Sequence, residues 1–322
     1  MKTLIPILIL IIPCSVFAQS SLITDLQKNL DDSNYTEVIN ALGSGEDIDD
    51  VYLLNILGQA YYNVKNYDAA IDAFEKVIDL KDEPTHEDYY WLGSSNLEML
   101  QTDIEFFKKA VYSNSAKGNL IKALELKPSY VEPRVKLTNY YINAPVFAGG
   151  SITQAKKHAN ILIEYDKNIG MQLLASIHLN QGDLDLAESL YLELEKDQST
   201  NNEKIYYLLA EVNFRKKDYD KVFEYCKKSI EKYPNYLMGY YQFSKTASIT
   251  NQNVEDGISY LKKYLEKDSG NINAPGNHWV YYRLGQLEKL NSNTKAAEIA
   301  FKNSLKIKPD FKEANDALSL LN

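Results

Sequence analysis

The residues that could do chemistry lie far apart along this 322-residue chain. Its four histidines, His86, His158, His178 and His278, include no two at the one-turn spacing that would put a zinc-binding pair on one helix face. His86-Glu87 sets a base beside an acid, but no serine or cysteine sits at a partnered offset, so a helix-start capping neighbourhood is the expected role. The carboxylates Asp47, Asp49, Asp50, Asp183 and Asp185 gather in polar stretches. In a chain with 44 acidic and 35 basic residues, such groupings are expected in solvated turns and do not make a general acid–base pair. Two cysteines, Cys14 and Cys226, cannot form a disulfide framework, and Cys226 falls in an apolar helical stripe, where it reads as a small buried hydrophobe. A phosphate-cradling glycine loop and a Gly-x-Ser-x-Gly turn are both absent from the sequence. The expectation is a chain that is not an enzyme and needs neither cofactor nor metal.

Composition narrows the class further. With 45% apolar and 25% charged residues the chain is globular, and a formal charge of −9 leaves no basic footprint for nucleic acid or an anionic membrane. Residues 1–18 read as a signal peptide: Lys2 opens it, Leu4 to Ile12 is apolar, and Val16-Phe17-Ala18 suits cleavage after Ala18. The apolar run is shorter than the ~20 residues that span a bilayer. Export to the periplasm or beyond is therefore expected, without stable membrane insertion. Lipidation at Cys14 is disfavoured because Pro13, not a small residue, precedes it. Loss of Lys2 on cleavage makes the mature chain one charge more acidic.

A repeat of about 34 residues organises the rest, from Leu22 to the C-terminus. Leu209-Ala210, Val222, Cys226, Ser229-Ile230 and Pro234 recur as Leu284-Gly285, Ala297, Phe301, Ser304-Leu305 and Pro309. Fainter copies hold Leu57-Gly58, Ala70 and Phe74; Leu92-Gly93, Ala116 and Leu120; and Leu174-Ala175, Ala187 and Tyr191. Apolar residues at three- and four-residue spacing make each unit two amphipathic helices, A then B, joined by turns such as Lys65-Asn66-Tyr67 and Lys217-Asp218-Tyr219. Tyr35, Tyr67 and Tyr219 open B helices. Small residues at Gly58, Gly93, Ala175, Ala210 and Gly285 are expected to let A approach B, with Phe74, Tyr191 and Phe301 filling the wedge. A lone pair buries too little, so only a stack is stable.

These residues resemble the tetratricopeptide repeat, whose motif is met by Leu54, Leu57-Gly58, Tyr61, Ala70 and Phe74 and by Tyr281, Leu284-Gly285, Ala297, Phe301 and Pro309. The resemblance implies an all-α fold: one continuous α-solenoid over residues 19–322, of about seven to eight helix-turn-helix units, with a closing helix from Lys312 to Leu321. It also implies that A helices line a concave groove. Its groove positions fall on Tyr52, Asn55, Gln59 and Tyr62 in one unit and on Tyr90, Asn139 and Gln172 in the next three. Further on they fall on Tyr207 and Glu211, on Tyr241 and Lys245, and on Trp279, Tyr282 and Gln286. Tyrosine offers a large contact area and one hydrogen bond at low entropic cost, so these rings either bind a partner or pack on adjacent A helices. The Lys and Asn pairs with which related domains clamp a chaperone's terminal carboxylate are replaced here by Tyr, Gln and Ser. The expected partner is a peptide or protein, with a carbohydrate or envelope polymer as the alternative.

Two insertions interrupt the frame, at 101–115 and 143–150, both between an A and a B helix and so expected to be neighbours on one edge. The first is expected to delay helix B until Ala116. The second, Ala144-Pro145-Val146-Phe147-Ala148-Gly149-Gly150, resembles a segment found in a group of exported bacterial repeat proteins. Ser151 and Gln154 suit a capping box there. One reading has free amides after Gly150 holding an anion. The other, preferred because the loop holds no Lys or Arg, is a packed turn in which Phe147 covers Phe106 or Phe107.

Overall fold

The computed structural model describes residues 14–197, 202–267 and 275–321. Most of the expected signal segment, residues 1–13, lies outside them. Among the described residues there are 17 α-helices, one 3₁₀ turn and no strand. The chain divides into two compact units at Tyr165/Asp166.

The first unit holds four antiparallel pairs. They are α1 (Cys14–Asp31) with α2 (Tyr35–Leu42), α3 (Val51–Asn63) with α4 (Tyr67–Leu80), α5 (His86–Met99) with α6 (Phe106–Leu126), and α7 (Val131–Asn143) with α8 (Ile152–Tyr165). The second holds α9 (Lys167–Gln181) with α10 (Leu184–Lys196), α11 (Ile205–Lys216) with α12 (Tyr219–Lys232), α13 (Met238–Thr250) with α14 (Val254–Lys267), and α15 (Asn277–Leu290) with α16 (Thr294–Ile307). A closing helix, α17 (Lys312–Ser319), packs on α16. Within each unit every pair packs on the next, which is the α-solenoid arrangement.

Local chemistry sets the ends of these helices. Asp50, Asn66, Asp166, Asp218 and Asn293 accept hydrogen bonds from the first-turn amides of α3, α4, α9, α12 and α16. Thr85 and Asp88 form a reciprocal capping box at the start of α5. Tyr35, Tyr67 and Tyr219 open their B helices as expected.

Size matching at one position sets the A-to-B distance. A Cβ on Gly58 would lie 2.7 Å from two ring carbons of Phe74, and one on Gly285 would lie 2.5 Å from Phe301. A Cβ on Gly93 would come within 3.1 Å of Leu120. Phe74, Leu120, Tyr191 and Phe301 are fully buried, and Cys226 takes the same position in its pair. Full burial pushes the Cys226 thiol pKa far up, so it is inert packing and not a nucleophile.

Two expectations about the insertions need correction. Helix B does not wait for Ala116: Phe106–Leu126 is one helix of 21 residues. Against the 14 residues of α4, α12 and α16 the helix gains seven, two turns at about 3.6 residues per turn, which lengthens it without rotating its buried stripe off the core; the other added residues lie before Phe106. Nor is the second insertion packed by its phenylalanine. Phe147 is 81% exposed, Phe106 68% and Phe107 83%, so Phe147 covers neither ring.

Candidate functional site

Successive A helices meet within each unit: α3 touches α5, α5 touches α7, α11 touches α13, and α13 touches α15. Their facing side chains therefore form one surface per unit.

In the first unit that surface is tied at a polar node. Lys136 Nζ, on α7, donates to Glu98 Oε1 of α5 and to the Tyr62 hydroxyl of α3, each at 3.2 Å, and Tyr62 donates to Glu98 at 3.2 Å. Burial, and then the Glu98 charge, push the Tyr62 pKa well above the ordinary phenol range. Tyr62 also meets Trp91 edge to face at 5.4 Å, and Tyr90 contacts Trp91 and Tyr130, each at 5.3 Å. Asn55 binds the Val51 carbonyl at 2.9 Å and Asp88 at 3.4 Å, while Gln59 is half-buried and Tyr52 is exposed. Of the residues singled out in this unit, Tyr62 is thus committed to a neighbour, Tyr90 packs on rings, and Tyr52 and Asn139 are open.

The second unit gathers its positions more tightly. Tyr207 and Glu211 on α11, Tyr241 and Lys245 on α13, and Trp279, Tyr282 and Gln286 on α15 are all half-buried, as is Gln172 on α9. Glu211 pairs with Arg215 at 3.3 Å, and Lys245 Nζ lies 4.5 Å from the centre of the Phe214 ring. Arg283 Nη1 donates to Gln286 at 2.8 Å, and Gln286 donates to the Tyr282 hydroxyl at 2.9 Å. Burial lowers the Lys245 pKa, with Arg283 and Arg215 adding to the effect and Glu211 opposing it. Burial, and then Glu211, push Tyr207 up to about 12. Lys245 thus lies in the field of one carboxylate, Glu211, and of two further cations, Arg215 and Arg283. Trp279 and Tyr282 do structural work as well: they meet Phe311 at 4.6 and 5.5 Å.

A second site, of which the repeat frame singled out only Asn139, lies in the first unit. A cavity of about 850 Å³ opens between α5, α6, α7 and the second insertion. Leu97, Leu100, Phe106, Ala110, Val146 and Phe147 give it apolar walls, and Lys109, Lys117 and Lys136 stand around it. Both insertions line it, so they are neighbours as expected. A hydrogen-bonded staple fixes its base: the Tyr140 hydroxyl donates to the Ala148 carbonyl and lies 2.7 Å from Ser113 Oγ. Gly149 is required there, since its φ is +93° and a Cβ would lie 2.8 Å from that hydroxyl. The amides of Gly149, Gly150 and Ser151 donate to Val146, Pro145 and Tyr141 carbonyls, so they are not free for an anion. The Ser151 hydroxyl accepts from the Gln154 amide at 3.3 Å, but its own amide is spent on Tyr141, which makes this half of a capping box.

Tetratricopeptide-repeat models match residues 51–83, 173–236 and 280–311. No curated protein matches the sequence. Among solved structures, the chain is similar to yeast Tom70, with a TM-score of 0.62 and 16% identity, over 93% of this chain and 58% of that one. It is similar to a tetratricopeptide repeat protein from Parabacteroides merdae, with a TM-score of 0.56 and 11% identity, over 89% and 98%. A third likeness is to Pseudomonas aeruginosa pilF, with a TM-score of 0.54 and 15% identity, over 73% and 97%. At these identities the likeness is one of fold. Three segments of the chain thus match tetratricopeptide repeats, and its helix pairs stack in an α-solenoid.

Proposed function

We propose that this repeat-bearing chain is an exported, non-catalytic scaffold that holds a peptide or protein partner on the A-helix surface of its second unit. The observation carrying this reading is the row formed by Tyr207, Tyr241 and Lys245 with the half-buried Arg283 and Gln286, drawn from three adjoining A helices. Half-buried tyrosines and desolvated cations on a rigid helical support are the usual makings of a binding hot spot, since little entropy remains to be lost. The groove pattern implied by the repeat supports the same surface, and the signal-like residues 1–18 support export.

Capture from an envelope fraction followed by mass spectrometry tests the surface. Replacing Tyr207 and Tyr241 together with Ala should weaken retention of the captured protein about tenfold or more. Retention unchanged by the double variant, or binding only on a polysaccharide array, removes the reading. Export has its own check: the mature protein should begin at Gln19 on N-terminal sequencing.

A further inference from the structure

The cavity beside the second insertion is lined by more cations than carboxylates, although the chain as a whole is acidic. Glu98 is the one carboxylate among its described lining residues, and it is held by Lys136 at 3.2 Å. Lys109 and Lys117 make no ion pair among the described residues. They stand eight positions apart on α6, hence on one face of the helix, with Ser113 between them. Lys117 Nζ leans over the turn, 3.7 Å from where a Cβ on Gly149 would sit. Two ammonium groups outside any ion pair among the described residues therefore flank a hollow with apolar walls and polar gaps, whose 850 Å³ is in the range that accepts a few side chains or a small ligand.

The rim decides between those occupants. Phe106, Phe107, Val146 and Phe147 are all more than two-thirds exposed, and Phe107 stands outside the hollow, 6.2 Å from Phe106 between ring centres. A fatty acid or other small anion could fill the hollow but would leave Phe107 in water. A polypeptide that sends an apolar side chain inward also covers the rim, and exposed apolar patches of this kind mark protein contact.

We propose that this pocket is a docking site for an acidic segment of a partner protein, with one large apolar side chain anchored in the hollow and flanking Asp or Glu carboxylates on Lys109 and Lys117. The site is separate from the A-helix surface of the second unit and does not depend on it. The two insertions build it together: the helical extension of α6 supplies Phe106 and Lys109, and the stapled turn supplies Val146 and Phe147.

A phage-displayed library of random dodecapeptides, selected on the purified full chain, tests this. Enriched peptides should share a Phe, Trp, Leu or Met within four residues of an Asp or Glu. Their affinity should fall about tenfold or more in the Lys109→Glu/Lys117→Glu variant and should weaken with added salt. Lys109→Gln/Lys117→Gln should give a smaller loss in the same direction and serves as the readout if the reversal perturbs folding, which circular dichroism monitors. Four outcomes overturn the proposal: no enriched peptide; enriched peptides without acidic residues; retention of dansylated undecanoic acid in place of peptide; or binding that survives both lysine variants. If surviving binding is lost in Tyr207→Ala/Tyr241→Ala, the pocket proposal fails while the surface of the second unit stands.

Discussion

At Gly58 the missing methyl group sets the geometry of a whole helix pair. An added Cβ would meet Phe74 at 2.7 Å, and the ring is fully buried with no room to retreat. Gly58→Val should therefore cost about 2–4 kcal/mol in urea unfolding, because overpacking strains the pair and β-branching adds nothing to a helix. Alanine should cost less, since its helix propensity returns about 1 kcal/mol relative to glycine. Phe147 is the opposite case. Although it is the largest side chain of its loop, it is 81% exposed, so Phe147→Ser should move stability by no more than about 0.5 kcal/mol. A fall of several degrees in melting temperature would mean that the ring is packed. Gly58 could be read from the sequence because the small-residue and ring positions recur at a fixed offset along the chain. Phe147 could not: hydrophobicity suggests burial, and exposure is decided by what lies opposite.

Among the elements, the stapled turn between α7 and α8 is the least tolerant of change. A Cβ on Gly150 would fall 1.7 Å from the Ala144 carbonyl oxygen, a backbone atom that cannot step aside as a flexible side chain would. Gly150→Ala should thus displace the turn, break the Tyr140–Ala148 bond and open the cavity wall, at about 2–4 kcal/mol. Hydrogen exchange should show faster exchange at the Gly149 to Ser151 amides, with α15 and α16 unaffected; protection retained throughout would mean that the turn absorbs the methyl group. The helix pairs themselves were legible in advance: apolar spacing and turn residues located eight pairs and a closing helix. The insertions were legible as extra length but not as form. An eleven-residue excess looks like a loop when counted against the repeat, yet it contains no Pro or Gly to stop a helix, and seven of its residues extend α6 by two whole turns. The cavity was not legible for a related reason: placing the two insertions side by side does not say whether they pack on each other or leave a hollow against α5 and α7.

In both units, ionisable groups with shifted titration bias stability mostly in one direction with pH. In the first unit His158 stacks on Tyr141, with Nδ1 3.4 Å from Arg134 Nη1, and burial followed by the Arg134 charge holds its pKa down at about 4. In the second, burial and Lys308 lower His278 in the same sense. A base whose folded pKa is depressed takes up protons preferentially when unfolded, so stability falls as pH drops from about 6.5 towards 4. Below that range the acids take over. Burial alone would raise Asp88 and Glu188, but Lys81 and Thr85 hold the first, and Lys216, Asn213 and Lys221 the second, below the ordinary carboxylate range. Their contribution is complete above that range and is lost as pH falls through their folded values. Glu75, raised by burial and by Asp72 and Asp79, works in the opposite sense. Urea midpoints should therefore be flat from pH 8 to about 7, decline to pH 4, and decline further below it. For His158 alone the loss should be about 1–2 kcal/mol once solvent screening of a half-buried ring is allowed for. The diagnostic quantity is the slope: His158→Gln should flatten the fall between about pH 6.5 and 4 whatever its effect on stability at pH 8. An undiminished slope would place the proton uptake elsewhere, with His278→Gln the next variant to measure.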